Sequence, residues 1–215
     1  MHAYKRNQAA EAISVAIGQG PSPSASLRTE MKRLLDTDRG LYVIHRSNDP
    51  EYANYAFYTG EAPGRGTEVW FSEYEIFALR LGLDLMEHGW PQATVISILR
   101  RARTDLEPKH AQILQWDAAE LFDQKKILEA ARPGALAVWT THPVHLVIAS
   151  RKGRPRDQGS DQTREIAVLE DNELMPFIRR EAGISYTMIE LTRMAHDLNA
   201  ALATTKPSKR GRSSS

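Results

Sequence analysis

Phe71-Ser72-Glu73-Tyr74-Glu75-Ile76, continuing through His88-Gly89-Trp90-Pro91 to Ile98-Leu99, is the stretch whose pattern decides the fold. Ser72 is a good N-cap, and Glu75 three residues later completes a capping box, so a helix starts here. Ile76, Leu79, Leu83 and Met86 recur at helical spacing and form its buried stripe. His88-Gly89-Trp90-Pro91 breaks the pattern, and Pro91 suits the first turn of a second helix whose inner face is Val95, Ile98, Leu99 and Ala102. A helix, a tight turn and a second helix are therefore expected.

Working upstream, Leu41 to His45, Tyr55 to Tyr58 and Glu68 to Phe71 are β-rich runs, separated by Asn48-Asp49-Pro50 and by Gly60 to Gly66. They predict three antiparallel strands. Ahead of them, Ala9, Ala12, Ile13, Ala16 and Ile17 predict a helix over about 8–18, closed by Gly18 and Gly20. Leu27, Met31, Leu34 and Leu35 predict another over about 25–37.

Working downstream, Pro108 to Ala131 is again helical, with a slip of period near Asp117 that implies a kink or two helices. Strands follow at 135–140, 144–150 and 165–169. Helices follow at about 172–182 and 188–203, the last opened by a Thr187 to Glu190 capping box. The expected fold class is helix-rich α+β. It divides into a winged-helix-like domain over 1–105, a helical connector or dimerisation helix over 106–133, a small α+β domain over 134–203 and a disordered basic tail over 204–215.

The 215 residues are 41% hydrophobic and 26% charged, with a net charge of +1 and no cysteine. This balance is that of a soluble globular protein. Without cysteine there are no disulfides, thiolate metal sites or thiol nucleophiles. No apolar run reaches the length of a membrane span, and no signal-peptide core follows the N-terminus, so a cytoplasmic location without membrane contact is expected.

The 71–99 segment resembles the MerR-type winged-helix DNA-binding domain, in which an aromatic-Ser pair opens a helix ending in Gly-aromatic and a second helix ends in Ile-Leu-Leu-like residues. The resemblance covers about residues 64–104 and implies a wing at the Gly64 to Trp70 hairpin. It departs from the family where the wing arginine falls on Val69, with Arg65 as the nearest substitute. No counterpart of the family's arginine- and tyrosine-rich recognition helix is recognised among residues 25–60.

Candidate DNA-binding residues beyond Arg65 come in two groups. The polar face of the helix after Gly89 carries Arg100, Arg101 and Arg103, a residue type that contacts phosphates and base edges. Arg151-Lys152-Gly153-Arg154-Pro155-Arg156 resembles an AT-hook, in which glycine permits close approach, proline keeps the arm extended and arginine enters a narrow A·T-rich minor groove. A basic hairpin loop is the competing reading. Lys209, Arg210, Gly211 and Arg212 form a partial echo of this arm.

Nothing in the sequence asks for catalysis, a metal or a cofactor. His142 and His145 lie near each other without a carboxylate at ligand spacing, and neither a phosphate-binding glycine loop nor a nucleophile elbow occurs. The sequence therefore predicts a regulator of transcription that binds double-stranded, A·T-rich DNA. A homodimer is expected through Ile113, Trp116, Leu121, Phe122, Leu128 and the Met188 to Leu202 stripe. The alternative is a non-catalytic protein-interaction module on the same scaffold.

Overall fold

The computed structural model describes residues 3–44, 47–60, 63–64, 67–130, 139–151, 164–180 and 184–206. It is a helix-rich α+β structure with two small antiparallel sheets among the described residues. The elements are β1 (Tyr4–Lys5), α1 (Arg6–Ala16), α2 (Ala25–Gly40), α3 (Pro50–Ala53), β2 (Trp70–Phe71), α4 (Glu73–Glu87) and α5 (Gln92–Ile113). They continue with α6 (Ala118–Leu121), α7 (Gln124–Ala130), β3 (Val144–Arg151), β4 (Arg164–Glu170), α8 (Asp171–Arg179), β5 (Ile184–Glu190) and α9 (Thr192–Thr204). The chain divides into one unit over 1–103 and 197–215 and another over 104–196, the divisions falling inside α5 and α9.

In the first unit, β1 pairs antiparallel with β2, Tyr4 opposite Phe71 and Lys5 opposite Trp70. This brings the start of the chain beside the start of α4, where Ser72 and Glu75 form the capping box that the sequence predicts. Helices α1, α2 and α4 pack on one another. Ile13, Met31, Leu34, Phe57, Phe71, Ile76, Phe77, Leu79, Leu81 and Leu85 lie at the centre, each 0 to 1% exposed. A Cβ added to Gly82 would meet Leu99, Leu34 and Phe57 side chains at 3.3 to 3.4 Å, so α2, α4, α5 and the 57 segment converge where α4 carries no side chain.

Two expected strands do not form among the described residues. Residues 41–44 and 55–58 form no ladder; only Trp70 and Phe71 of the third run do, and their partner is the β1 strand. The physical reason lies on α5. Arg100 donates to the carbonyls of Leu41, Tyr42 and Glu51, and Arg103 to those of Tyr55 and Tyr58. Backbone acceptors that a neighbouring strand would have satisfied are satisfied by guanidinium groups. The apolar side chains of the second run serve as core, Ala56, Phe57 and Tyr58 being buried.

The second unit contains a three-stranded antiparallel sheet in the order β4-β3-β5, with Val147 opposite both Ala167 and Met188. Alternation along β3 sends Val147 and Ala149 to one face, where Leu174 and Phe177 of α8 cover them. Tyr186 adds its ring to Phe177 and donates its hydroxyl proton to the Ile178 carbonyl at 3.0 Å.

Strand β5 corrects the expected helix start at 188. Thr187 and Glu190 have capping-box spacing, but Tyr186-Thr187-Met188-Ile189 is β-branched and aromatic and pairs with β3 over its length. Glu190 instead accepts from the amides of Thr192 and Arg193, opening α9 one turn later. α5 likewise runs unbroken through Pro108 to Ile113, across the boundary expected at 105, and the chain then breaks before Asp117 caps α6, where the sequence shows its slip of period. The strand expected at 135–140 lies outside the described residues up to 138.

Candidate nucleic-acid interface

α1 and α2 form a packed pair of helices whose connection is specified locally. Gly18 and Gly20 adopt positive φ of 77° and 83°, conformations that side-chain-bearing residues resist. The Ser14 hydroxyl donates to the Gly20 carbonyl at 2.7 Å, and the Ser24 side chain caps α2 by accepting from the Leu27 amide at 3.1 Å. The inner face of α2, Leu27, Met31, Leu34, Leu35 and Asp38, is buried.

The opposite stripe of α2 is Ala25, Ser26, Thr29, Lys32 and Arg33, all exposed, with Arg28 exposed on its flank. At 3.6 residues per turn these side chains share one outward face. Lys32 is held by Asp36 at 2.7 Å and Arg39 reaches the same carboxylate at 2.8 Å. The two cations keep the Asp36 carboxyl below its ordinary range, the hydrogen bond from Lys32 being the largest influence. Sequence reading placed Leu27, Met31 and Leu34 on the inner face; the polar residues between them carried the signal for this outer stripe.

The arginines expected on the polar face of α5 sit otherwise. Arg100 is 2% exposed and Arg103 6%. All five N–H groups of Arg100 have acceptors: Nε binds Asp38 Oδ1 at 2.8 Å, Nη1 the Tyr42 and Glu51 carbonyls, and Nη2 the Asp38 and Leu41 carbonyls. Its charge lies at the C-terminal end of α2, where a helix dipole favours a cation. The Tyr55 ring lies 5.2 Å from the guanidinium carbon. Burial pushes the Asp38 carboxyl up, and Arg100 opposes that push.

Arg103 donates to Thr59 Oγ1 at 3.0 Å, and Thr59 in turn donates to Glu75 Oε1 at 2.8 Å, linking α5 to the cap of α4. Arg100 and Arg103 are thus internal fasteners, which corrects the expectation that they face a phosphate backbone. Arg101, between them, is half-buried and also has a partner.

The remaining candidates fall elsewhere. Arg151 ends β3, and Lys152, Arg154 and Arg156 lie outside the described residues, in the connection between the antiparallel neighbours β3 and β4. Arg65, Lys209, Arg210 and Arg212 are also outside them. At the flank of the expected wing, Trp70 is half exposed with Lys5 5.0 Å from its ring centre, and Lys5 pairs with Glu68 at 2.8 Å.

No protein family, curated protein or solved structure matches this chain.

In the second unit a cleft of about 310 Å³ is lined by Trp116, Asp117, Glu120, Leu121, Lys126, Thr141 and His142. Its charged groups have structural partners: Glu120 pairs with Lys126 at 2.9 Å, and Asp117 caps α6 by accepting from the Ala119 amide. Among the described residues no three His, Asp or Glu side chains are grouped to hold a metal ion, and no helix is long and apolar enough to cross a membrane. Of the residues offered for dimerisation, Ile113, Leu121, Leu191, Ala195, Leu198 and Leu202 are buried within the chain, whereas Leu128 is 72% exposed.

Proposed function

We propose that this chain binds double-stranded DNA as a transcriptional regulator, with α2 as the helix that enters the major groove. The observation that carries the reading is the outward stripe of Ser26, Thr29, Lys32 and Arg33 on the second helix of a turn-linked pair. A single α-helix fits the major groove, and hydroxyl, ammonium and guanidinium groups on its outward face are the types that read base edges. Support also comes from the pairing of β1 with β2, which sets Trp70 and Phe71 beside the start of α1, and from the MerR-type resemblance of residues 71–99. The basic arm at 151–156 would add a minor-groove contact, favouring A·T-rich sites. Two copies on a two-fold site is the assembly this mode of reading usually takes.

The test is titration of a fluorescent random-sequence duplex pool at two salt concentrations. Saturable binding that weakens steeply with salt is the expected outcome, and Arg33→Ala should weaken it.

A second reading, a protein-interaction module, is favoured by one observation. Leu41, Tyr42, Ile44 and Tyr52 are 40 to 78% exposed on the segment that Arg100 grips. Clustered apolar exposure of this kind marks contact surfaces. Retention of full DNA affinity after Tyr42→Ser would separate that surface from the DNA interface.

A further inference from the structure

We infer that Gln92, at the start of α5, is a positioning residue for α2, an inference that rests on the DNA-binding reading above. Its Nε2 donates to the Arg33 carbonyl at 3.0 Å and also to the Thr37 hydroxyl. Arg33 belongs to the outward stripe, and Thr37 lies one turn further on. One side chain from another helix therefore grips the middle of α2 at the level of the groups proposed to read bases.

The grip does what apolar packing does not. Leu27, Met31, Leu34 and Leu35 hold α2 against its neighbours through contacts that have no directional preference. A helix so held can roll by a few degrees at small cost, and its outward side-chain tips then move furthest. Recognition geometry has to be kept within roughly 0.5 Å and 10–20° by supporting hydrogen bonds. Gln92 supplies two such bonds along one flank. The helical carbonyl of Arg33 has a second lone pair to accept the amide while the ordinary helix bond stays intact. At the far end Arg100 fixes the Asp38 side chain and carbonyl, so α5 holds α2 at two points about a turn and a half apart.

Arg100 is buried and its replacement threatens folding; Gln92 is only half-buried and gives the cleaner test. The duplex most enriched from a random pool by the wild-type chain is compared with a scrambled duplex of the same composition, at two salt concentrations. Gln92→Met keeps the bulk of the side chain and removes its donors. It should weaken binding to the enriched duplex by about 3- to 10-fold, the scale of one net hydrogen bond. Binding to the scrambled duplex and the salt slope should stay as in wild type, because no phosphate contact is lost. Thr37→Val should move the same ratio in the same direction. A change in stability alone, with the enriched-to-scrambled ratio unchanged in both variants, would overturn the inference while leaving DNA binding intact. Failure of the wild-type chain to enrich any duplex would overturn the DNA-binding reading itself, and the role of Gln92 with it.

Discussion

Arg100 Nε lies 2.8 Å from Asp38 Oδ1, with both side chains withdrawn from solvent, and the pair joins the end of α2 to the middle of α5. The guanidinium then spreads over carbonyls of Asp38, Leu41, Tyr42 and Glu51, so one side chain closes a helix and fixes the irregular segment beyond it.

Removing one partner of such a pair leaves a buried charge without compensation, which costs about 3–5 kcal/mol. Arg100→Met should therefore lower the unfolding free energy by roughly this amount in urea titration. Arg100→Lys should not rescue it. An ammonium offers three donors and no planar fork, so at least about 2 kcal/mol should stay lost. A lysine variant as stable as wild type would contradict the assigned role.

His110 gives the second unit a pH dependence. It is 6% exposed, and burial, with His196 as a secondary influence, lowers its pKa from 6.5 to about 4. The folded state thus favours neutral imidazole, and its stabilisation is complete above pH 6.5. Between pH 6.5 and about 4 the unfolded chain binds a proton that the folded chain refuses, so stability falls by up to about 3 kcal/mol as pH drops through this window. Thermal melts from pH 7.5 to 4.5 should show that decline. His110→Gln should make it shallower, leaving the smaller decline due to His145, whose pKa burial also lowers.

Gly82 is a helix-interior glycine whose replacement by alanine would ordinarily stabilise by about 1 kcal/mol. Here the new methyl meets Leu99 at 3.3 Å and Leu34 and Phe57 at 3.4 Å, so Gly82→Ala should come out near neutral. Gly82→Val, with two further methyls in the same space, should cost about 1–3 kcal/mol. Calorimetric melting of the two variants checks the difference.

Arg154→Ala tests the basic arm separately from α2. Affinity for an A·T-rich duplex should fall by roughly 1–3 kcal/mol. Affinity for a G·C-rich duplex should hardly change. Equal affinity of the wild-type chain and the variant for both duplexes would remove the arm from the interface.

What was legible in the sequence was what is decided locally. Ser72 and Glu75 announce α4 because both cap bonds form within four residues, and the hydrophobic period of α2 and α4 fixes their inner faces. What was illegible depended on distant partners. Nothing near Leu41 or Tyr55 shows that an arginine some 50 residues away will satisfy their carbonyls, so their β-rich composition reads as strand. Arg100 occupies a polar-looking position on its own helix, and its burial becomes visible only once Asp38 is opposite. Thr187 and Glu190 imitate a cap because spacing alone does not distinguish a strand end from a helix start. The outer stripe of α2 could have been read from Ser26, Thr29, Lys32 and Arg33 lying between the apolar positions.

The central claim is that the outward face of α2 enters the DNA groove, and amide chemical-shift mapping of the full chain against a duplex enriched from a random pool tests it most directly. The account predicts that the largest shifts fall on Ala25 to Arg33, that Lys32→Ala and Arg33→Ala weaken binding, and that each phosphate contact removed lowers the salt slope by about 1. Saturable binding with the shifts confined to residues outside α2, or no binding at low salt, would contradict it.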